Sequence, residues 1–255
     1  MMLTEGAGRP GSSEAVLAEL FAPRAQAQAD GVQRFISLEP RSRVLDLACG
    51  LGLQTLELAR RGFRVLGIDP REAQLIEARG IAREQRLNAH FLNADPRQLS
   101  YRNEFDAVLS LGGSLAPLAD DRALLRVLDG ARKGLKNSGK LLFDMVNKEW
   151  LIRRLAAGPP AQDELRFDAE TGRLECPGRE PASLRLYTLT EFKTLLERGG
   201  LVYERTWGGY QGEPYGLESP RMIVLACLPV PDAPRKDKDA DLVTAIRIKG
   251  RRKGK

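Results

Sequence analysis

Val44, Leu45 and Leu47 form a short apolar run that gives way to Gly50 and Gly52, after which Thr55 to Gly62 returns to helical spacing. This strand, turn and helix pattern recurs along the chain. Strands are predicted at 43–48, 63–68, 89–92, 105–110 and 139–146, with helices at 54–61, 71–86 and 120–135 between most of them. Such alternation predicts an α/β fold whose mainly parallel sheet is covered by helices on both faces. Ligands of such sheets bind beyond the carboxyl ends of the strands, so that edge is where functional residues are sought.

The flanks depart from this pattern. Residues 1–13 are rich in Gly, Pro and Ser and read as a flexible N-terminus, and Glu14 to Leu38 reads as two short helices separated at Pro23. Beyond Asn147, W-L-I-R-R-L is helical and G-P-P ends it at 158–160. A small hairpin is predicted near 164–175, a helix capped by Thr190 through Arg198, and strands beginning at 201 and 221. The expected organisation is one domain over 14–230 followed by a basic, flexible tail over 231–255.

Composition narrows the setting. The 255 residues, 42% of them hydrophobic, suffice for a full core. Of the net charge of +6, a surplus of five resides in 231–255, where nine Lys or Arg meet four Asp, so the body is nearly neutral. A nucleic-acid partner is thus expected only through the tail. The N-terminus lacks a signal-peptide pattern and no run approaches 18 apolar residues, which predicts a cytoplasmic protein with no membrane partner. Cys49, Cys176 and Cys227 form no C-x-x-C, and neither a metal site nor a disulfide framework is expected.

Three carboxylates follow three successive strand patterns. Asp46 lies beside the glycine turn, where a carboxylate needs turn amides or a ligand ammonium as partners. A dinucleotide fingerprint is incomplete there, because Thr55 stands where the third glycine belongs. Asp69, 17 residues after Gly52, ends the second strand at the distance suited to a ribose diol. Asp95 ends F-L-N-A-D-P and is placed to accept from an exocyclic amine.

The ordered segments V-L-D-L-A-C-G-L-G, V-L-G-I-D-P, F-L-N-A-D, F-D-A-V-L-S and L-K-N-S-G-K-L-L-F-D resemble the class I S-adenosylmethionine-dependent methyltransferases over roughly residues 30–229. The resemblance implies a Rossmann-like, seven-stranded sheet in the order 3-2-1-4-5-7-6 with strand 7 antiparallel. It also implies S-adenosylmethionine as cofactor. Asp46 and the turn of Ala48, Cys49, Gly50 and Gly52 would meet its methionyl part, Asp69 with Pro70 its ribose, and Asp95 with Pro96 its adenine, with Ser110 completing the set. Ala48 stands where a glycine is common in the family. Later segments, including W-G-G-Y-Q-G-E-P-Y, resemble a subgroup of small-molecule or unassigned methyltransferases.

The acceptor side is less defined. Asp144 and Asn147 end the fifth strand, Tyr187 precedes a helix, and Tyr210, Tyr215 and Arg221 follow the glycines of W-G-G-Y, making these six the substrate-side candidates. The sole histidine, His90, begins a strand at the opposite end of the sheet, and no catalytic base is assigned. Motifs resembling those of adenine-amino and cytosine-C5 methylating enzymes are absent. The expectation is methyl transfer to an oxygen, nitrogen or carbon of a small molecule by a monomer or homodimer. Its alternatives are an RNA or protein methyltransferase tethered by the tail, and a cofactor-binding scaffold or regulatory protein without catalysis.

Overall fold

The computed structural model describes residues 24–118, 120–157, 165–177 and 181–230. Among these, the chain runs α1 (Ala25–Phe35), β1 (Arg43–Leu47), α2 (Leu53–Arg60), β2 (Arg64–Asp69), α3 (Glu72–Glu84), β3 (Ala89–Asn93), a 3-10 turn (Pro96–Gln98) and β4 (Phe105–Ser110). It continues through α4 (Asp121–Gly134), β5 (Leu135–Val146), α5 (Lys148–Ala156), β6 (Arg166–Asp168), β7 (Arg173–Glu175), β8 (Ser183–Arg185), α6 (Leu189–Arg198), β9 (Val202–Trp207) and β10 (Arg221–Cys227).

The main sheet has the order β3-β2-β1-β4-β5-β10-β9. Its first five strands are parallel and β10 runs antiparallel to both neighbours, which is the predicted 3-2-1-4-5-7-6 topology. Alternate side chains of β1 feed opposite layers: Leu45 and Leu47 pack with Phe105, Leu128, Phe143 and Phe192, whereas Val44 packs with Leu56, Val65 and Leu109. Burial on both faces explains the nearly continuous apolar runs of the central strands. The layer over β4 and β5 is closed by α4, whose buried Leu124, Val127, Leu128 and Ala131 follow helical spacing, and Asp120 caps it by accepting from the Ala123 N–H at 2.8 Å.

Several elements differ from expectation. Strand β5 begins at Leu135 rather than 139, pairing early with Phe105 before an irregularity in the ladder. Thr188, not Thr190, caps α6, because only from position 188 does a glutamate lie three residues on. Thr188 Oγ1 accepts from the Glu191 N–H at 3.1 Å and the Glu191 carboxylate accepts from the Thr188 N–H at 2.7 Å. The predicted hairpin is β6 with β7, and β8 adds a third strand that short, weakly alternating Ser183–Arg185 did not signal. This small sheet packs through Leu174, Leu184 and Leu186 on Trp150 and Leu151 of α5. Trp207 is half-buried and stacked on Phe35 at 3.9 Å, since β9 is an edge strand, and Cys227 is partly exposed at the end of β10. The predicted segments 1–13 and 231–255, and the helix expected before Pro23, lie outside the described residues. No helix among the described residues is long and apolar enough to cross a membrane.

One polar contact sits inside this apolar frame. Arg221 opens β10 and its Nε donates to Asp144 Oδ1 of β5 at 2.6 Å, with both side chains almost completely buried. The Gly112 N–H donates to Asp144 Oδ2 at 2.8 Å, so the segment after β4 is held by the same carboxylate. Removing one partner of such a pair strands the other charge in the interior, at a cost of about 3–5 kcal/mol. Arg221→Ala is therefore expected to lose stability on that scale in denaturant unfolding. A loss below about 1 kcal/mol would show that the pair does not anchor this end of the sheet.

Candidate functional site

The turn leaving β1 is built on three left-handed residues, Ala48 (φ 52°), Gly50 (φ 56°) and Gly52 (φ 69°). Gly52 has a steric reason as well, because a Cβ there would lie 2.4 Å from Phe91 Cε1 of β3. Ala48 adopts the same backbone region with its methyl group, so the departure from glycine preserves the turn at a modest conformational cost. The Gly52 N–H donates to the Cys49 carbonyl at 2.9 Å and the Gly52 carbonyl accepts from Leu56, which leads the chain directly into α2.

Two carboxylates flank this turn in opposite electrostatic states. Asp46 is buried, and burial pushes its carboxyl up to about 7, against a hydrogen bond from Thr55 Oγ1 at 2.7 Å and with the added repulsion of Asp69. Asp69 is also buried, which alone would raise it. Hydrogen bonds from the Arg71 guanidinium, from the Arg71 N–H and from the Gly50 N–H instead hold it below the usual carboxylate range. Burial, with the charge of Asp46, pushes the Cys49 thiol upward, so it is no thiolate nucleophile.

Beyond the turn lies a cavity of about 240 Å³. Asp46, Ala48, Cys49 and Gly50 line one side of it, and Asp144, Tyr210 and Arg221 line the other. The structure thus brings cofactor-side and substrate-side candidates from both halves of the sequence to one space. Tyr210 donates to Asp144 Oδ2, and burial followed by the Asp144 charge pushes its phenol well above its ordinary range, leaving a neutral hydroxyl. Its ring fits against Gly31 of α1, where a Cβ would lie 2.5 Å from Cδ1.

The other predicted residues are placed elsewhere. Asp69 and Pro70 lie behind the turn, outside the cavity lining. Asp95 caps the 3-10 turn containing Pro96, accepting from the Arg97 N–H at 2.8 Å, and its side chain is paired with the Arg97 guanidinium. Ser110 Oγ is 3.1 Å from Ser114 Oγ, and Ser114 in turn donates to the Leu47 carbonyl at 3.0 Å. Asn147 caps α5 and donates to the carbonyls of Gly216 and Ser219 at 2.9 and 2.8 Å, while Tyr215 donates to Glu149 at 2.8 Å. Tyr187 donates to Asp121 at 3.0 Å and borders a separate narrow space beside Leu115 and Phe143. His90 is exposed on β3. Among the described residues no cluster of His, Cys, Asp and Glu is arranged to hold a metal.

Sequence reasoning missed Arg24, Gln28, Gln54, Arg71, Gly112 and Ser114, all of which line the cavity. A signal existed for Gln28. It lies on the buried face of α1 with Ala29 and Val32, an uncharged polar residue where the helical spacing asks for an apolar one, and it accepts from Gln54 Nε2 at 2.7 Å.

The chain is similar in sequence and in fold to known proteins. A family model of the methyltransferase domain matches residues 44–139. The glycine/sarcosine N-methyltransferase of Aphanothece halophytica is 30% identical over 202 residues, covering 71% of this chain and 74% of the relative. YqeM of Bacillus subtilis (strain 168) is 35% identical over 114 residues, covering 43% of this chain; the match spans only 44% of that relative's own length. An S-adenosylmethionine-dependent methyltransferase structure from Clostridium acetobutylicum ATCC 824 shares the fold, with a TM-score of 0.71, 19% identity, and coverage of 85% of this chain and 97% of that one. With this topology, this turn and these relatives, the chain belongs to the class I S-adenosylmethionine-dependent methyltransferases.

Proposed function

We propose that the protein transfers the methyl group of S-adenosylmethionine to an oxygen, nitrogen or carbon of a small molecule. The observation that carries this reading is the shared cavity, bounded by Asp46 and the β1 turn on one side and by Tyr210, Asp144 and Arg221 on the other. Its polar donor set suits the cofactor. Asp46, when ionised, pairs with the methionyl ammonium, and Arg24, at the start of α1, is a cation suited to the methionyl carboxylate. Asp69 accepts from the ribose hydroxyls and Asp95 from the adenine amine. The small cavity, the nearly neutral body and a relative named for methylating glycine and sarcosine all favour a small acceptor.

When bound, S-adenosylmethionine supplies a methyl group already activated by its sulfonium. The chain's task is then alignment and exclusion of water rather than strong base chemistry. Tyr210 keeps its proton and orients Asp144, and Asp144 is engaged by Arg221 and Gly112, so neither is released to act as a base. Gln28, Gln54 and Ser114 are the uncharged polar groups left to orient an acceptor in the cavity.

Methyl incorporation from labelled donor into cell extract, divided by size before and after nuclease or protease treatment, tests the acceptor class. Label is expected in the small-molecule fraction. Label chiefly in nuclease- or protease-sensitive polymer would overturn that assignment.

Two further outcomes concern the cofactor. Asp69→Ala removes the acceptor of two hydroxyls, bonds to a charged group worth about 1.5–3 kcal/mol each, so calorimetry on the folded variant is expected to find affinity at least about tenfold weaker. The second outcome is pH dependence through Asp46, which faces Thr55, Cys49 and Asp69 and shares the cavity with Arg24, Arg71, Arg221 and Asp144. Its folded value near 7 lies above the ordinary 3.8, so the folded state keeps a proton that the unfolded state has lost. Stability from this group accordingly falls as pH rises from about 4 to about 7 and is level above that. Binding of a cationic ammonium moves the other way, tightening by about tenfold between pH 6 and 8 as the carboxylate forms. Asp46→Asn is expected to flatten both profiles, and an unchanged slope in the variant would remove Asp46 from the assignment.

A further inference from the structure

Asp69 has no acceptor capacity to spare. A carboxylate offers about four lone-pair sites. Oδ1 accepts from the Arg71 N–H at 2.9 Å and from Arg71 Nε at 3.0 Å, and Oδ2 accepts from the Gly50 N–H at 2.9 Å and from Arg71 Nη2 at 3.2 Å. Two of the four bonds are backbone bonds that fix the turns after β1 and β2. The other two belong to a guanidinium fork that presents paired donors to both oxygens, as a vicinal diol would.

The fork is also the part of this arrangement that is free to leave. The Asp69 side chain is fully buried, but that of Arg71 is 56% exposed, and Arg71 lines the cavity. A landing place lies close by. Gln74 Oε1 is buried without a hydrogen-bond partner, and it and Arg71 Nη2 both lie within 4 Å of the point where a Cβ on Gly50 would stand. A buried amide oxygen in that state is an acceptor awaiting a donor.

We infer that Arg71 is a displaceable cap on Asp69, occupying the sites of the cofactor's ribose hydroxyls and moving to Gln74 Oε1 when the cofactor binds. The inference rests on the assignment of Asp69 to the ribose. With the cap closed, the guanidinium satisfies a buried carboxylate that would otherwise be left short of partners. It does so by holding the site in a state that does not bind, so the apparent affinity is reduced by the fraction of molecules in which the cap is closed. Arg71 is a positioning residue in this scheme, because it sets the availability of Asp69 without touching the reacting atoms.

Calorimetry of S-adenosylmethionine and of its demethylated product, S-adenosylhomocysteine, tests this on the unmodified protein and four variants. Arg71→Ala is expected to bind both about threefold or more tightly than the unmodified protein, while its cofactor-free Tm falls because Asp69 has lost its fork. Gln74→Leu is expected to weaken binding when Arg71 is present and to have no effect in the Arg71→Ala background, a non-additivity that a purely structural role for either residue would not produce. Asp69→Ala separates the two levels of the argument. If it loses binding while Arg71→Ala binds no better than the unmodified protein, the cap is refuted and the ribose assignment stands. If folded Asp69→Ala binds unchanged, the ribose assignment fails and the cap fails with it.

Discussion

Asp144 and Arg221 form a buried ion pair at the carboxyl edge of the sheet, and the cavity takes its observed form around the Asp144 carboxylate, both of whose oxygens are engaged. Burying two charges is costly unless the geometry is good and the remaining lone pairs find donors. Here Gly112 and Tyr210 supply them, one from the segment after β4 and the other from the connection between β9 and β10. Three groups, Gly112, Tyr210 and Arg221, are thereby fixed around the one carboxylate of β5. Tyr210 in turn seats against Gly31, so the position of α1 over the site is coupled to the same pair.

The other half of the cavity obeys a different electrostatic rule. Asp46 and Asp69 lie near each other on adjacent strands, and two like charges in a poorly hydrated region cannot both be stabilised by the same means. The structure separates them by partner: Asp69 receives the turn amides and a guanidinium, whereas Asp46 receives one threonine hydroxyl and is left near neutrality. The pair thus leaves one permanent charge behind the turn and one adjustable charge facing the cavity.

Much of this was legible in the sequence, for identifiable reasons. The parallel strands are buried on both faces and read as apolar runs, and the resemblance of five ordered segments supplied the strand order. The positions of Asp46, Asp69 and Asp95 were legible because each lies at, or just beyond, the carboxyl end of a strand. The roles of Asn147 and Tyr215 were not, since a polar residue after a strand serves equally to cap a helix or to face a ligand, and only the contacts to Gly216, Ser219 and Glu149 distinguish these. Arg71 and Arg97 were missed because D-P-R looks like turn chemistry. In space, each arginine folds back on the aspartate two residues before it. Strand β8 went unseen because three residues carry too little periodicity to register.

The insertion of β10 between β5 and β9 also bears on how the protein is made. The strand that contributes Arg221 is the last of the sheet to leave the ribosome, yet it occupies an interior position. Until residue 227 has emerged, β5 presents an open edge to any passing strand, and Asp144 waits at that edge without its cation. A nascent chain halted before Arg221 would therefore carry the glycine turn and all three strand-end aspartates but lack one wall of the pocket. The methyl donor, which stabilises only a conformation that can bind it, would then favour finished chains over truncated ones.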